Sequence, residues 1–388
     1  MVMTFTNLRP TIYLVVVTTI LLFFTLLFFY GNQPIVFLSN YIVPDGVTYL
    51  FYLNEINNGY PLMEIGAPQF FGLPNSFMLW VIYLYPYYVL GFIGVLLVNI
   101  ILVIASSKLT HPIVFLYFPY LLLSVTLPSK DLIIFALTVF LLDQLHKSKW
   151  ISVLIIILTS FLVRDGAGYI NLAIACGYFV HKNTKFTLQK LVVVIFFLCL
   201  LMSTNMEGLF GDSFVYVRNK EVSIIHTNEN MPEYGTAIGY VARIFSTITN
   251  LSFRQPVWDI ESNLSILGLF YYISGIVGLA LFIYMVQLLV DSNLRQENEV
   301  NNLILIYFIA IFISSLNPMV SARYMIPVNA ALIGNLYISN QAWIVKKFKF
   351  ILPFSFFIST VVTLVSMQLE IFPPLNEVGD VVDLFSFK

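Results

Sequence analysis

The chain has 388 residues, 59% of them hydrophobic and only 10% charged, with a formal net charge of −1. Soluble domains average roughly 45–50% apolar and about 25% charged residues, so this composition, with a mean hydropathy of +0.88, excludes a water-soluble fold. The expected fold class is all-α: a polytopic integral membrane protein with about 11 transmembrane helices, forming a single transmembrane domain over residues 1–388.

Eleven apolar runs are read as spans, over 11–30, 77–105, 112–127, 132–145, 150–163, 168–180, 190–204, 263–290, 303–316, 325–339 and 351–368. The first is about 20 residues, long enough to cross a bilayer. No small-residue cleavage site follows it, so it is expected to stay as a span. Residues 77–105 contain Tyr85-Pro86 and are read as one long span rather than two short ones. With this assignment Arg9, Lys108, Lys147, Lys149, Lys182, Lys185, Lys190, Arg295, Lys346, Lys347 and Lys349 share one side, eleven of the nineteen basic residues. Sixteen of the twenty acids fall on the other side. Basic residues concentrate in cytoplasmic loops, which puts the amino terminus inside and the carboxyl tail, from Glu370 to Lys388, outside.

Two external loops are sizeable, 31–75 and 205–262. The first contains no Lys or Arg. The second is too small for a core of its own. Within it Ile238, Val241, Phe245 and Ile248 recur at helical spacing with Arg243 on the opposite face, as in an amphipathic helix lying on the membrane surface or over a cavity. Cys176 and Cys199 fall in predicted spans and the four histidines are scattered, so no disulfide, metal or cofactor is expected.

The basic residues that break the charge rule are the candidate site. Leu127-Pro-Ser-Lys-Asp131 joins two short spans on the outer side. The 16 residues from Pro112 to Leu127 make about 24 Å of helix, less than the roughly 30 Å of hydrocarbon. Lys130 and Asp131 are therefore expected below the outer surface, where charge is expensive unless it is paired or faces a cavity. The bland alternative is a self-neutralising turn in which Asp131 caps the next helix. Arg164-Asp-Gly-Ala-Gly168 repeats the design after a 14-residue span, with a local ion pair as its alternative. Asn317-Pro-Met-Val-Ser-Ala-Arg323-Tyr-Met-Ile-Pro327 supplies a third external cation, beside Tyr324. Three hairpins thus bring Lys130, Arg164 and Arg323 to one depth, where a cationic cluster suits a phosphorylated lipid. It could stabilise a pyrophosphate leaving group without a metal. Asp45, in Val43-Pro-Asp45-Gly-Val-Thr-Tyr49, is the candidate base, or simply the cap of a helix running to about Asn57.

On these features the chain resembles the bacterial O-antigen polymerase family. The likeness lies in the overall plan, in the Pro-Ser-Lys130-Asp131 turn, and in the external Arg164, Arg243 and Arg323. Asp45 is also similar to the acid found after the first span in the wider superfamily of polytopic glycosyltransferases that use lipid-phosphate sugars, although the paired acidic signature common there is absent. The resemblance implies a glycosyltransferase of the bacterial inner membrane that joins undecaprenyl-pyrophosphate-linked repeat units on the periplasmic face during lipopolysaccharide or capsular polysaccharide biosynthesis. It implies Asp45 as base, Arg164 and Arg323 as catalytic residues, and Lys130, Asp131, Arg243 and Tyr324 as substrate-binding residues. Membrane lipids, a chain-length regulator and other polysaccharide assembly proteins are the implied partners, with no nucleic acid. Two alternatives remain open: a transferase of single sugars from polyprenyl phosphate, and a flippase of lipid-linked oligosaccharides.

Overall fold

The computed structural model describes residues 44–59, 79–184, 186–204, 237–249, 266–291, 298–316 and 325–368. All secondary structure among them is helical. Two compact units share the chain. The first holds Met1–Cys176 and Ile326–Ile344, the second Gly177–Met325 and Val345–Lys388.

The first unit begins with α1 (Pro44–Asn57). Proline suits the first turn, where its missing N–H would have no helical partner. A π-helical segment, Leu79–Leu84, then runs into α2 (Tyr85–Leu90), with Pro86 in the first turn of α2. The chain reverses at Gly91, whose φ of +57° is open mainly to glycine, and returns as α3 (Phe92–Ser107). The return is close: a Cβ on Gly94 would collide with the Pro86 carbonyl. Further down the same pair, Tyr83 Oη donates to Asn99 Oδ1 at 2.7 Å. Residues 77–105 are therefore not one span, as read from the sequence. From Leu79 onward the run folds as a helical hairpin, and the break lies at Gly91 rather than at Tyr85-Pro86.

The expected 112–127 span is also divided. It forms α4 (Val114–Tyr117) and α5 (Pro119–Leu123), separated by Phe118 at φ −122°, ψ 76°. Pro119 has no N–H for the helix and pushes the preceding residue out of the α region. This broken stretch is deep inside its unit, with Phe115, Phe118 and Leu121 fully buried.

From here the expected helices appear nearly as read: α6 (Lys130–His146), α7 (Trp150–Val163) and α8 (Asp165–Asn183). One non-helical residue, Arg164, separates α7 from α8. The two pack so tightly that a Cβ on Gly168 would collide with the Phe161 ring, and Asn171 Nδ2 donates to Ser160 Oγ at 2.8 Å. The second unit contains α9 (Leu188–Thr204), α10 (Ala237–Thr249), α11 (Ile266–Val290) and α12 (Asn298–Ser314).

The last element, α13 (Met325–Gln368), runs 44 residues through both assignments. The sequence reading placed spans at 325–339 and 351–368 with a lysine-bearing loop between them. No loop forms. Residues 340–350 contain neither Gly nor Pro, and Gln, Ala and Lys are good helix formers.

Several helices turn apolar side chains outward and polar ones inward. On α7, Ile151, Leu154, Ile155 and Leu158 are exposed, while Ser160 is fully buried. On α9, Val194, Phe197, Leu198 and Leu201 are exposed, while Ser203 is buried. Among the described residues one helix, over Tyr272–Val290, is long and apolar enough to cross a bilayer; the other apolar helices have 10–17 residues.

Candidate functional site

The N-terminus of α6 carries the charges. Ser129 is its N-cap, accepting from the Leu132 N–H through Oγ at 3.3 Å. Asp131, expected as the possible cap, is released for other partners because Ser129 already fills that role. Its Oδ2 accepts from Tyr120 Oη at 2.7 Å and its Oδ1 from Arg164 Nη1 at 2.8 Å. This ion pair joins two turns 33 residues apart in sequence. It is also buried: the Asp131 side chain is 1% exposed and that of Arg164 11%.

Lys130, itself 7% exposed, places its ammonium 5.2 Å from the centroid of the Tyr49 ring. A cation over an aromatic face is attracted by the ring quadrupole, more so when both are desolvated. Tyr49 comes from α1, four residues after Asp45. Beneath these charges lies one apolar cluster of Tyr49, Tyr52, Leu53, Tyr83, Val95, Ile133, Ile134, Val163 and Ala167. Ile133 and Ile134 follow Asp131, Val163 precedes Arg164 and Ala167 follows it. Packing of their immediate neighbours thus holds the charged positions together.

Three candidates from the sequence, Lys130, Asp131 and Arg164, meet in this cluster. Tyr49 and Tyr120 join them unforeseen; the signal was weak, since 16% of the chain is aromatic. Of Asp45 the structure describes the backbone alone, as second residue of α1. Arg323 and Tyr324 lie outside the described residues.

Arg243 occupies a different setting, in the second unit. Its Nε donates to the Ser315 carbonyl at 2.9 Å and its Nη2 to Ser203 Oγ at 2.6 Å. These partners lie at the C-terminal ends of α12 and α9, where a cation is favoured by the helix dipoles. Tyr240 lies under its guanidinium at 5.9 Å and donates to the Phe312 carbonyl at 3.1 Å. Burial raises the Tyr240 phenol above its ordinary pKa, which keeps it a neutral donor. The helix expected around Arg243 is present as α10. Ile238, Val241 and Phe245 are exposed and Arg243 is 9% exposed, while Ile248 alone of the apolar set is buried.

Among the described residues no three His, Cys, Asp or Glu side chains gather as a metal site. No family model, curated protein or solved structure matches this chain.

Proposed function

We propose that this chain is a polytopic membrane glycosyltransferase that polymerises oligosaccharide repeat units carried on undecaprenyl pyrophosphate. The observation that carries the reading is the buried cluster of Lys130, Asp131 and Arg164, in which Arg164 pairs with Asp131 and Lys130 lies over the Tyr49 ring. Buried cations at a helix N-terminus favour an anionic ligand. The planar fork of Arg164 matches phosphate oxygens.

A bilayer accounts for the outward apolar faces of α7 and α9, since contiguous exposed apolar surface marks contact with a membrane or a partner. It also gives meaning to the broken α4–α5 stretch, since irregular backbone at membrane depth is tolerated only when buried in protein or lining a cavity. Helices of 14–17 residues make about 21–26 Å and suit spans whose charged ends are sunken. We assign the loops after α6 and α8 to the cytoplasmic side of the bacterial inner membrane, because Lys147, Lys149, Lys182, Lys185 and Lys190 cluster there. Lys130 and Arg164 then face the periplasm.

In this reading the hydroxyl of an incoming repeat unit attacks the anomeric carbon of the donor glycan. The new glycosidic C–O bond forms as the bond to the pyrophosphate oxygen breaks. Lys130 and Arg164 stabilise the charge that develops on that oxygen; Arg323 and Tyr324, site residues on the sequence reading, lie outside the described residues. The hydroxyl proton passes to a carboxylate, for which Asp45 is the candidate. Arg243 holds α10 in place. A chain-length regulator and other assembly proteins are the partners this activity calls for.

The test is purified full-length protein in nanodiscs with an undecaprenyl-pyrophosphate-linked repeat unit, followed by gel analysis. A ladder of lengthened glycans is expected. It should fall by about 10²–10³-fold in correctly folded Arg164→Ala and be lost in Arg323→Ala. Addition of one sugar from a polyprenyl phosphate would favour the single-sugar transferase. Protein-dependent movement of the lipid between leaflets, with no product, would overturn the enzyme reading in favour of a flippase.

A further inference from the structure

We propose that Asn99 and Tyr83 are positioning residues that set Lys130 and Asp131 in place from behind, and that the Gly91 hairpin exists to present them. This rests on the reading of Lys130 and Arg164 as an anion site.

Residues Val125–Ser129 lie outside α5 and α6 and lead into α6. Two side chains from the hairpin hold them. Asn99 Nδ2 donates to the Val125 carbonyl at 3.0 Å and to the Leu127 carbonyl at 2.7 Å. Tyr83 Oη accepts from the Ser129 N–H at 3.2 Å and donates to Asn99 Oδ1 at 2.7 Å. Tyr83 and Asn99 are both fully buried. The Asn99 amide thus uses both donors and its acceptor, and the Tyr83 phenol uses its donor and an acceptor. Their donors are spent on protein acceptors, so both act through Lys130 and Asp131 rather than on the reacting atoms. A fully satisfied buried network fixes one geometry, and here the geometry fixed is that of the loop ending one residue before Lys130.

The same hairpin also supports the opposite side of Lys130. Tyr83 and Val95 pack in the apolar cluster with Tyr49, and Tyr87 Oη donates to Asn54 Oδ1 of α1 at 3.4 Å. Lys130 and the ring beneath it are thereby referred to one platform. Gly91 and Gly94 let the platform's two arms close on each other.

The test uses the full chain in nanodiscs, with Asn99→Leu and the milder Tyr83→Phe, which removes one oxygen and leaves the ring. Backbone hydrogen exchange is followed by mass spectrometry, beside steady-state turnover. Exchange over residues 125–132 should rise about tenfold or more in both variants, with α7 and α8 unchanged. Turnover should fall by a similar factor while KM for the lipid-linked donor stays within about threefold, the mark of lost alignment rather than lost binding. Exchange at the wild-type rate in Tyr83→Phe would overturn the proposal whatever the activity. A local rise in exchange in a protein whose wild type makes no glycan ladder would support the positioning network and sink the polymerase reading alone. A rise spread over α7 and α8 would show a general packing role and overturn it.

Discussion

Arg164 and Arg243 are both buried arginines, and they are held in opposite ways. Arg164 has a carboxylate partner, Asp131, with Lys130 on the adjacent residue of the same helix. The Arg243 bonds described here run to a hydroxyl and a backbone carbonyl at two helix C-termini. The partial negative charge of a helix C-terminus favours a guanidinium there. At Arg164 a full carboxylate is supplied and a second buried cation, Lys130, stands on the adjacent residue. On the proposed reading the first cluster is the site and the second a latch.

Asp131→Asn should separate the two most sharply. It leaves Arg164 buried without its counter-charge, which costs about 3–5 kcal/mol in detergent unfolding. Loss of less than about 1 kcal/mol, as for a surface pair, would place the cluster in water and break the comparison. Arg243→Met should cost less, about 1.5–3 kcal/mol for hydrogen bonds to a charged group. The segment around 237–249 should become sensitive to protease, while KM for the lipid donor holds. A raised KM with an intact helix would make Arg243 a substrate ligand after all. Tyr49→Phe keeps the aromatic face and should be near neutral, whereas Tyr49→Leu should lose about 0.5–2 kcal/mol of the interaction with Lys130, read as weaker donor binding. Equal effects in both would assign the loss to the phenol oxygen instead.

The smallest effect is on pH. His111 is partly buried beside Tyr337 at 5.5 Å, and its Nδ1 accepts from the Ile113 N–H at 3.2 Å. Burial lowers its pKa from 6.5. The unfolded chain therefore takes up the proton first, so stability is intact above 6.5 and declines as pH falls from there through the lowered folded value. His111→Gln should flatten that decline, measured as thermal midpoint against pH.

The helices from Lys130 to Thr204 were legible because apolar runs there end at charged residues or beside glycine. The Lys130–Asp131 turn was legible as a sunken charged site for the same reason. Its pairing was not: Arg164 stands beside Asp165 in sequence, and only the tertiary fold carries it to Asp131. Pro119 was plainly inside the 112–127 run, yet hydropathy averages over it, whereas the helix cannot. At 77–105 Pro86 drew attention as the break, although proline fits a first turn, and Gly91 five residues on was the residue that could reverse the chain. The lysines at 346–349 looked like a loop because charge patterning speaks of surroundings and not of backbone. The amphipathic pattern over 238–248 marked the helix, while the partners of Arg243, Ser203 and Ser315, stand 40 and 72 residues away in sequence and no local pattern ties them to it.

The central claim is that Lys130 and Arg164 form a pyrophosphate site. The most direct measurement compares binding of undecaprenyl pyrophosphate and uncharged undecaprenol to nanodisc-held wild type and Lys130→Gln, which leaves the Asp131–Arg164 pair intact. The wild type should prefer the pyrophosphate, and Lys130→Gln should lose about tenfold or more of that preference, the order of one charge-assisted bond. No preference in the wild type, or the same preference in Lys130→Gln, would contradict it.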